Sequence, residues 1–135
     1  YKILNSEFKN PKLVRYTEFI RGDIDIDKMK EACKYFIGEH DFKAFCASGS
    51  TAKTTVRTIY SLEVEREKDI ICIRVKGNGF LYNMVRIIAG TLVYVGIGKI
   101  KPDEIAEIIE SRDRTRAGKT LGPNGLTLME VHYGE

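Results

Sequence analysis

Apolar residues recur along this chain with a period that changes from block to block, and the period assigns the elements. From Asp25 to Gly38, the residues Met29, Cys33, Phe36 and Ile37 return at helical spacing and share one face. Asp25 or Asp27 can cap the start of this helix, where a side-chain oxygen accepts from an amide that has no partner inside the helix, and Gly38 can close it. His40–Phe45 reads as one more helical turn, with Phe42 and Phe45 packed inward.

The middle of the chain changes character. Thr55–Arg66 and Asp69–Lys76 read as two long strands joined by a charged turn around Glu67 and Lys68. The run Ile70–Val75 is rich in β-branched residues, and so short a connection predicts antiparallel pairing. Gly77-Asn78-Gly79 interrupts this pattern. Phe80–Val95 then predicts a helix that is apolar on almost every face, hence central. Pro102 suits the first turn of a last helix whose apolar stripe is Ile105, Ile108 and Ile109.

The remaining segments complete the plan. Tyr1–Asn5 reads as a short strand, Ser6–Lys12 as a polar loop and Val14–Ile20 as a second extended piece. Ala47–Thr54 has loop composition, Arg112–Pro123 is a charged loop containing glycine, and Leu126–Tyr133 reads as a closing strand. The predicted fold class is α+β, one domain over residues 1–135, with helices packed on one face of a mostly antiparallel sheet.

Composition narrows the setting. Of the 135 residues, 43% are hydrophobic and 30% charged, a folded rather than a disordered balance. The net charge of +3 permits a nucleic-acid partner without requiring one. The three cysteines, Cys33, Cys46 and Cys72, lie far apart and predict reduced, mostly buried thiols in a cytoplasmic protein. A metal site built from Cys46, His40 and His132 matches no ligand spacing, so no metal is expected. Phe80–Val95 is broken by Asn83 and Arg86 and is too short for a bilayer, so no membrane partner is expected either. The chain opens on Tyr1, already in a strand pattern, which predicts a start inside a longer protein.

Arg86 is the most informative position for chemistry. It stands between Val85 and Ile87 in the apolar helix, and an arginine is almost never fully buried without a partner. Either its stem packs on the core with the head at a solvent edge, or the head meets a carboxylate or phosphate. Arg112, Arg114, Arg116 and Lys119 form a basic run, and Lys53 and Arg57 flank the start of a strand. Such residues can track phosphates, although a solvated face is the commoner explanation of a charge run. Gly77-Asn78-Gly79 reads as a strand-to-helix turn and lacks the phosphate-loop pattern. His40 adjoins Asp41, but neighbouring residues seldom aim at one target, and no Ser-His-Asp or Cys-His arrangement can be built.

Several blocks together resemble one family. Gly38-Glu39-His40-Asp41-Phe42-Lys43-Ala44-Phe45 is similar to a G-x-H/N-D-F-x-x-F block, and Thr55-Val56-Arg57-Thr58-Ile59 to a T-x-R-x-I strand. Phe80–Gly90 is similar to an F-x-x-x-M-V-R-x-I-x-G helix, the most diagnostic piece. Gly125-Leu126-Thr127-Leu128 is similar to a closing G-L-x-L strand, and Tyr1–Asn5 to the end of an R-Y-x-Y-x-I-x-N strand. In this order, over nearly the whole chain, they resemble the C-terminal half of TruA-family tRNA pseudouridine synthases.

The resemblance implies a fold of two similar halves joined through an extended sheet, with the site in the cleft between them. It implies isomerisation of uridine to pseudouridine in the anticodon stem-loop of tRNA, by extrusion of the base. Neither cofactor nor metal is implied; the implied partners are tRNA and a second copy in a homodimer. The G-R-T-D-x-G-V-H motif that carries the family's aspartate does not occur here, and Asp113-Arg114-Thr115 has similar letters in the wrong order. The motif belongs upstream of Tyr1, so this chain alone is expected to be inactive. Tyr1 corresponds to the second tyrosine of the Y-x-Y strand, which is not the active-site one.

By the same resemblance Arg86 pairs with that aspartate and should lie in an opened cleft here, while Leu126 lines the pocket under the target base and can also belong to the core of the last strand. Lys53, Arg57, Arg114 and Arg116 become contacts to tRNA phosphates. The alternative is an RNA-binding module of the same fold without activity; a protein-interaction domain that binds no RNA is a third reading.

Overall fold

A computed structural model of the chain describes residues 1–7, 16–49 and 52–128. Its strands are β1 (Lys2–Leu4), β2 (Glu18–Phe19), β3 (Gly38–Asp41), β4 (Val56–Glu67) and β5 (Ile70–Gly77). Its helices are α1 (Ile26–Cys33), α2 (Met84–Gly96) and α3 (Glu104–Ser111). One five-stranded sheet has the order β2-β1-β5-β4-β3. Every pairing is antiparallel except that of β1 with β2. The α+β expectation holds.

The β4–β5 hairpin forms as the sequence predicts, with Glu67 opposite Ile70 and Lys68 at a positive φ of 55° in the turn. Ile71 and Ile73 of β5 face the core, whereas Arg74 and Lys76 do not. On β4 the buried residues are Ile59, Leu62 and Val64, which breaks simple alternation. The pairing explains the break: Ile59 meets Gly77 and Ser61 meets the adjacent Lys76, so Tyr60 is an extra residue. Such a bulge inverts the parity of a strand and lets residues three apart reach one face.

The helices cover that face. α1 packs on α2 and on β4, and α3 packs near β3 and the short turns beside it. Asp25 supplies the cap of α1, accepting from the Lys28 amide at 3.2 Å. Ile87, Ile88 and Leu92 of α2 join Ile71, Ile73, Met29 and Phe36 in one apolar cluster. Ile105, Ile108 and Ile109 are buried on α3.

Four local expectations are corrected. Gly38 does not close the first helix; α1 passes into a 3-10 turn at Lys34–Phe36, and Gly38 opens β3 with φ 102°. Ile37 therefore leaves the helical face and is exposed. His40 and Asp41 are strand, not helix, because Gly38–Asp41 pairs with Val56–Ile59; only Lys43–Phe45 forms a helical turn. Phe42 and Phe45 are nonetheless fully buried, with ring centroids 6.1 Å apart. Helix α2 starts at Met84 rather than Phe80, because Gly79 and Asn83 both take positive φ and turn the chain before the helix. Leu126–Leu128 are not strand: they follow a 3-10 turn at Pro123–Gly125, and Leu126 is 43% exposed, so it is not core. The rest of that expected strand, His132, Val14 and Arg15 lie outside the described residues.

Candidate functional site

Arg86 sits in the first turn of α2, one turn after the chain reverses at Asn83. It is half-buried, and neutral groups hold it. Its Nε donates to the Leu121 carbonyl at 2.6 Å, and Nη1 donates to the Asn83 side-chain oxygen at 2.9 Å. Among the described residues no carboxylate lies within ion-pair distance of it, and Nη2 has no partner. A guanidinium has five donors in a fixed fork, so this arrangement fixes its plane and leaves donors over.

Asn83 is itself unusual. It occupies the N-cap position of α2 but makes no side-chain cap, and its φ is 61°. A residue other than glycine in that region carries strain of about 1–3 kcal/mol, and such strain concentrates at functional positions. Here the left-handed turn is coupled to a side chain that bonds Arg86 in place of the helix amides.

The other half of the site is a strap, residues 117–122, laid directly on α2. Gly118 N donates to Thr91 Oγ1 at 2.8 Å, and that hydroxyl donates to the Ile87 carbonyl at 2.8 Å. The approach is backbone to backbone. A Cβ on Gly90 would overlap the Lys119 carbonyl oxygen, and one on Gly118 would come within 2.5 Å of the Thr91 nitrogen. Leu121 N returns a bond to the Arg86 carbonyl at 3.2 Å. Arg114 ties the near end of the strap, with Nη1 on the Gly118 carbonyl at 2.8 Å and Nη2 on Thr120 Oγ1 at 3.0 Å.

At the far end of the strap and just past it, Gly122 and Gly125 rest on the first two strands. The Glu18 carboxylate accepts from Gly122 N at 3.1 Å, and the buried Tyr1 hydroxyl donates to the Gly122 carbonyl. A Cβ on Gly125 would lie 2.5 Å from the Lys2 carbonyl and 2.8 Å from the Tyr1 ring. Burial, reinforced by the Glu18 charge, pushes the Tyr1 hydroxyl well above its ordinary value, with Arg86 pulling the other way. Tyr1 thus stays protonated and remains a donor at neutral pH.

The remaining candidates fall elsewhere. Lys53 is exposed, and Arg57 at the start of β4 bonds the Thr54 and Val56 carbonyls at 2.9 and 2.8 Å. Arg116 is exposed and reaches Glu107 at 3.9 Å, whereas both terminal nitrogens of Arg114 are occupied by the strap. His40 Nε2 lies 2.9 Å from the Ile37 carbonyl, and Asp41 accepts from Thr55 at 2.5 Å and from the Lys43 amide at 3.1 Å. Asp41 also pairs with Arg112 Nε at 3.5 Å, so the two neighbours have separate structural partners and share no target. Among the described residues no group of three His, Cys, Asp or Glu side chains could hold a metal, and no helix is long and apolar enough to cross a membrane. Cys33 is buried, while Cys46 and Cys72 are only half-buried; all three are free. Glu18, Asn83 and the Tyr1 hydroxyl are site neighbours that the sequence pattern does not single out.

The residue pattern that defines the family described as tRNA pseudouridine synthase matches residues 32–134, which include Arg86 and most of the strap's surroundings. The chain belongs to that family. A tRNA pseudouridine synthase A of Thermoanaerobacter sp. (strain X514) is 52% identical over 133 residues, covering 98% of this chain. The tRNA pseudouridine synthase A of Acetivibrio thermocellus is 53% identical over 133 residues, and tRNA pseudouridine synthase A 2 of Clostridium perfringens is 52% identical over 134. The chain spans about half the length of these curated relatives, 54% in each case. The pseudouridine synthase resemblance carried by the M-V-R helix therefore extends over the whole strap-and-sheet framework around Arg86.

Proposed function

We propose that this chain is the arginine-bearing half of an enzyme that converts uridine to pseudouridine in the anticodon stem-loop of tRNA. The carrying observation is Arg86, whose Nε and Nη1 are held by neutral oxygens while Nη2 has no partner among the described residues. A half-buried cation held in this way is prepared for an anion from elsewhere, and in the complete protein that anion is the catalytic aspartate. The ion pair keeps the aspartate charged and aims it, because an opposite charge at close range favours the ionised carboxylate.

The reaction is an isomerisation. The N1–C1′ bond of the extruded uridine breaks, the base turns, and a C5–C1′ bond forms. The proton on C5 leaves to solvent and N1 acquires one, so nothing else is consumed. Arg86 acts on the aspartate rather than on the sugar. The exposed Leu126 suits a surface completed by the flipped base, and Lys53, Arg57 and Arg116 supply phosphate contacts, whereas Arg114 is spent on the strap. The protein works in the cytoplasm as a homodimer, and the 135-residue chain alone is inactive for want of the aspartate.

The test is tritium release from tRNA carrying C5-labelled uridine, using the complete protein. Release confined to the anticodon stem-loop is expected. A folded protein that binds tRNA and releases no tritium would instead establish an RNA-binding module of the same fold.

A further inference from the structure

The dipeptide Leu121-Gly122 is fixed at all four of its backbone polar atoms, by three side-chain or main-chain partners distant in sequence. Leu121 N donates to the Arg86 carbonyl and Leu121 O accepts from Arg86 Nε. Gly122 N donates to Glu18, and Gly122 O accepts from the Tyr1 hydroxyl. The peptide unit between Leu121 and Gly122 thus joins the guanidinium on one side to Glu18 of β2 on the other, while Tyr1 holds the carbonyl of the next unit.

The consequence concerns direction. The Leu121 carbonyl is one of only two acceptors that orient Arg86 among the described residues, and its own direction is set by the peptide plane it shares with Gly122 N. That nitrogen is held by Glu18 across 104 residues of sequence. Glu18 stands on β2, whose backbone is registered against β1 with Ile3 opposite it, so the carboxylate projects from a paired strand. A Cβ at position 122 would lie 2.7 Å from Glu18 Oε1, so a side chain there would displace the carboxylate. The other side chains facing this group are Tyr1, which stays neutral, and Arg86, which bonds Leu121 and Asn83.

We infer that Glu18 is a positioning residue for Arg86: through the Gly122 amide it fixes the Leu121 carbonyl against which the guanidinium is aimed. It touches neither base nor aspartate. Its contribution is to hold the plane of the arginine fork, and displacements on the order of 1 Å in such a support can cost ~100-fold in rate. The inference rests on the role proposed for Arg86, but the clamp itself can be read without activity.

Two measurements on the complete protein test it. In the first, single-turnover pseudouridine formation is compared for wild type, Glu18→Ala, Glu18→Gln and Gly122→Ala. Glu18→Ala and Gly122→Ala should lower the rate about 10- to 100-fold with little change in the tRNA concentration at half-saturation. Glu18→Gln should recover to within about threefold, because its amide oxygen still accepts from Gly122 N. A Glu18→Ala rate within twofold of wild type overturns the inference, as does a Glu18→Gln defect equal to that of Glu18→Ala. The second measurement is hydrogen exchange of the Arg86 Nε–H by nitrogen-15 NMR, assigned with Arg86→Lys. Exchange should rise at least 10-fold in Glu18→Ala with the global melting unchanged, and unchanged exchange overturns the clamp. Should the wild type show no turnover at all, the enzymatic reading falls while the exchange result still decides the role of Glu18.

Discussion

Two arginines hold the two ends of one strap, and they do so in opposite ways. Arg114 bonds Gly118 and Thr120, four and six residues away, with both of its terminal nitrogens. Arg86 bonds Leu121, 35 residues away, through Nε and keeps Nη2 without a partner among the described residues. The first closes its own loop and is used up by it. The second joins a helix to a distant segment and has capacity left. Both side chains are half-buried and equally charged yet do different work, and the discriminating features are the sequence distance spanned and the donors left over.

The largest effect that could break this contrast lies at Arg86. In the complete protein, Arg86→Ala should lower the turnover rate by a factor on the order of 1000, the scale for removing one preorganised charge contact, and leave tRNA affinity within a few-fold. Arg114→Ala should do the reverse, lowering stability to urea by about 1–3 kcal/mol with far less effect on the chemical step. Comparable losses of rate in both variants would erase the distinction.

Next in size is the seam under the strap. Gly90→Ala puts a methyl group where the Lys119 carbonyl sits, so both ends of the strap must lift together. A loss of about 1–3 kcal/mol or more is expected in urea unfolding. A neutral Gly90→Ala would show that the strap floats, and with it the aim of Arg86.

Asn83→Gly sharpens the contrast because its two effects have opposite signs. Glycine relieves the positive φ of 61°, yet it removes the Nη1 acceptor of Arg86. Thermal stability should hold or rise by a degree or more while the rate falls about 10-fold. If both fall together, the left-handed turn is not a site of stored strain.

The smallest effect concerns the core beneath α1. Burial, with Glu63 adding to it, pushes the Cys33 thiol from 9.0 up to about 11. The folded state therefore keeps a proton that the unfolded chain releases above pH 9, so this contribution to stability is intact below pH 9 and is lost as pH rises toward 11. Urea midpoints across that window should decline, and iodoacetamide at pH 8.5 should label the half-buried Cys46 and Cys72 before Cys33. Preferential labelling of Cys33 would contradict its placement.

Much of the framework is legible in the sequence because local and tertiary preferences agree there. Ile70–Val75 is β-branched and sits in the middle of the sheet; Pro102 and the Ile105, Ile108, Ile109 stripe mark α3. β3 is not legible, since Gly-Glu-His-Asp has no strand composition and becomes strand only by pairing with β4. The start of α2 is hidden for another reason: the sign of φ at Asn83 cannot be read from apolar periodicity. At the site, Arg86 announces itself as a charge inside an apolar run. Glu18 does not, because its partner is a backbone amide 104 residues away and an isolated glutamate in a short extended piece carries no pattern.

The most direct measurement is single-turnover pseudouridine formation by the complete protein with Arg86→Ala, alongside its tRNA affinity. A rate reduced by about three orders of magnitude at nearly unchanged affinity is the expected result. A rate within a few-fold of wild type would contradict the account, since Arg86 would then be one more strap-holding arginine like Arg114.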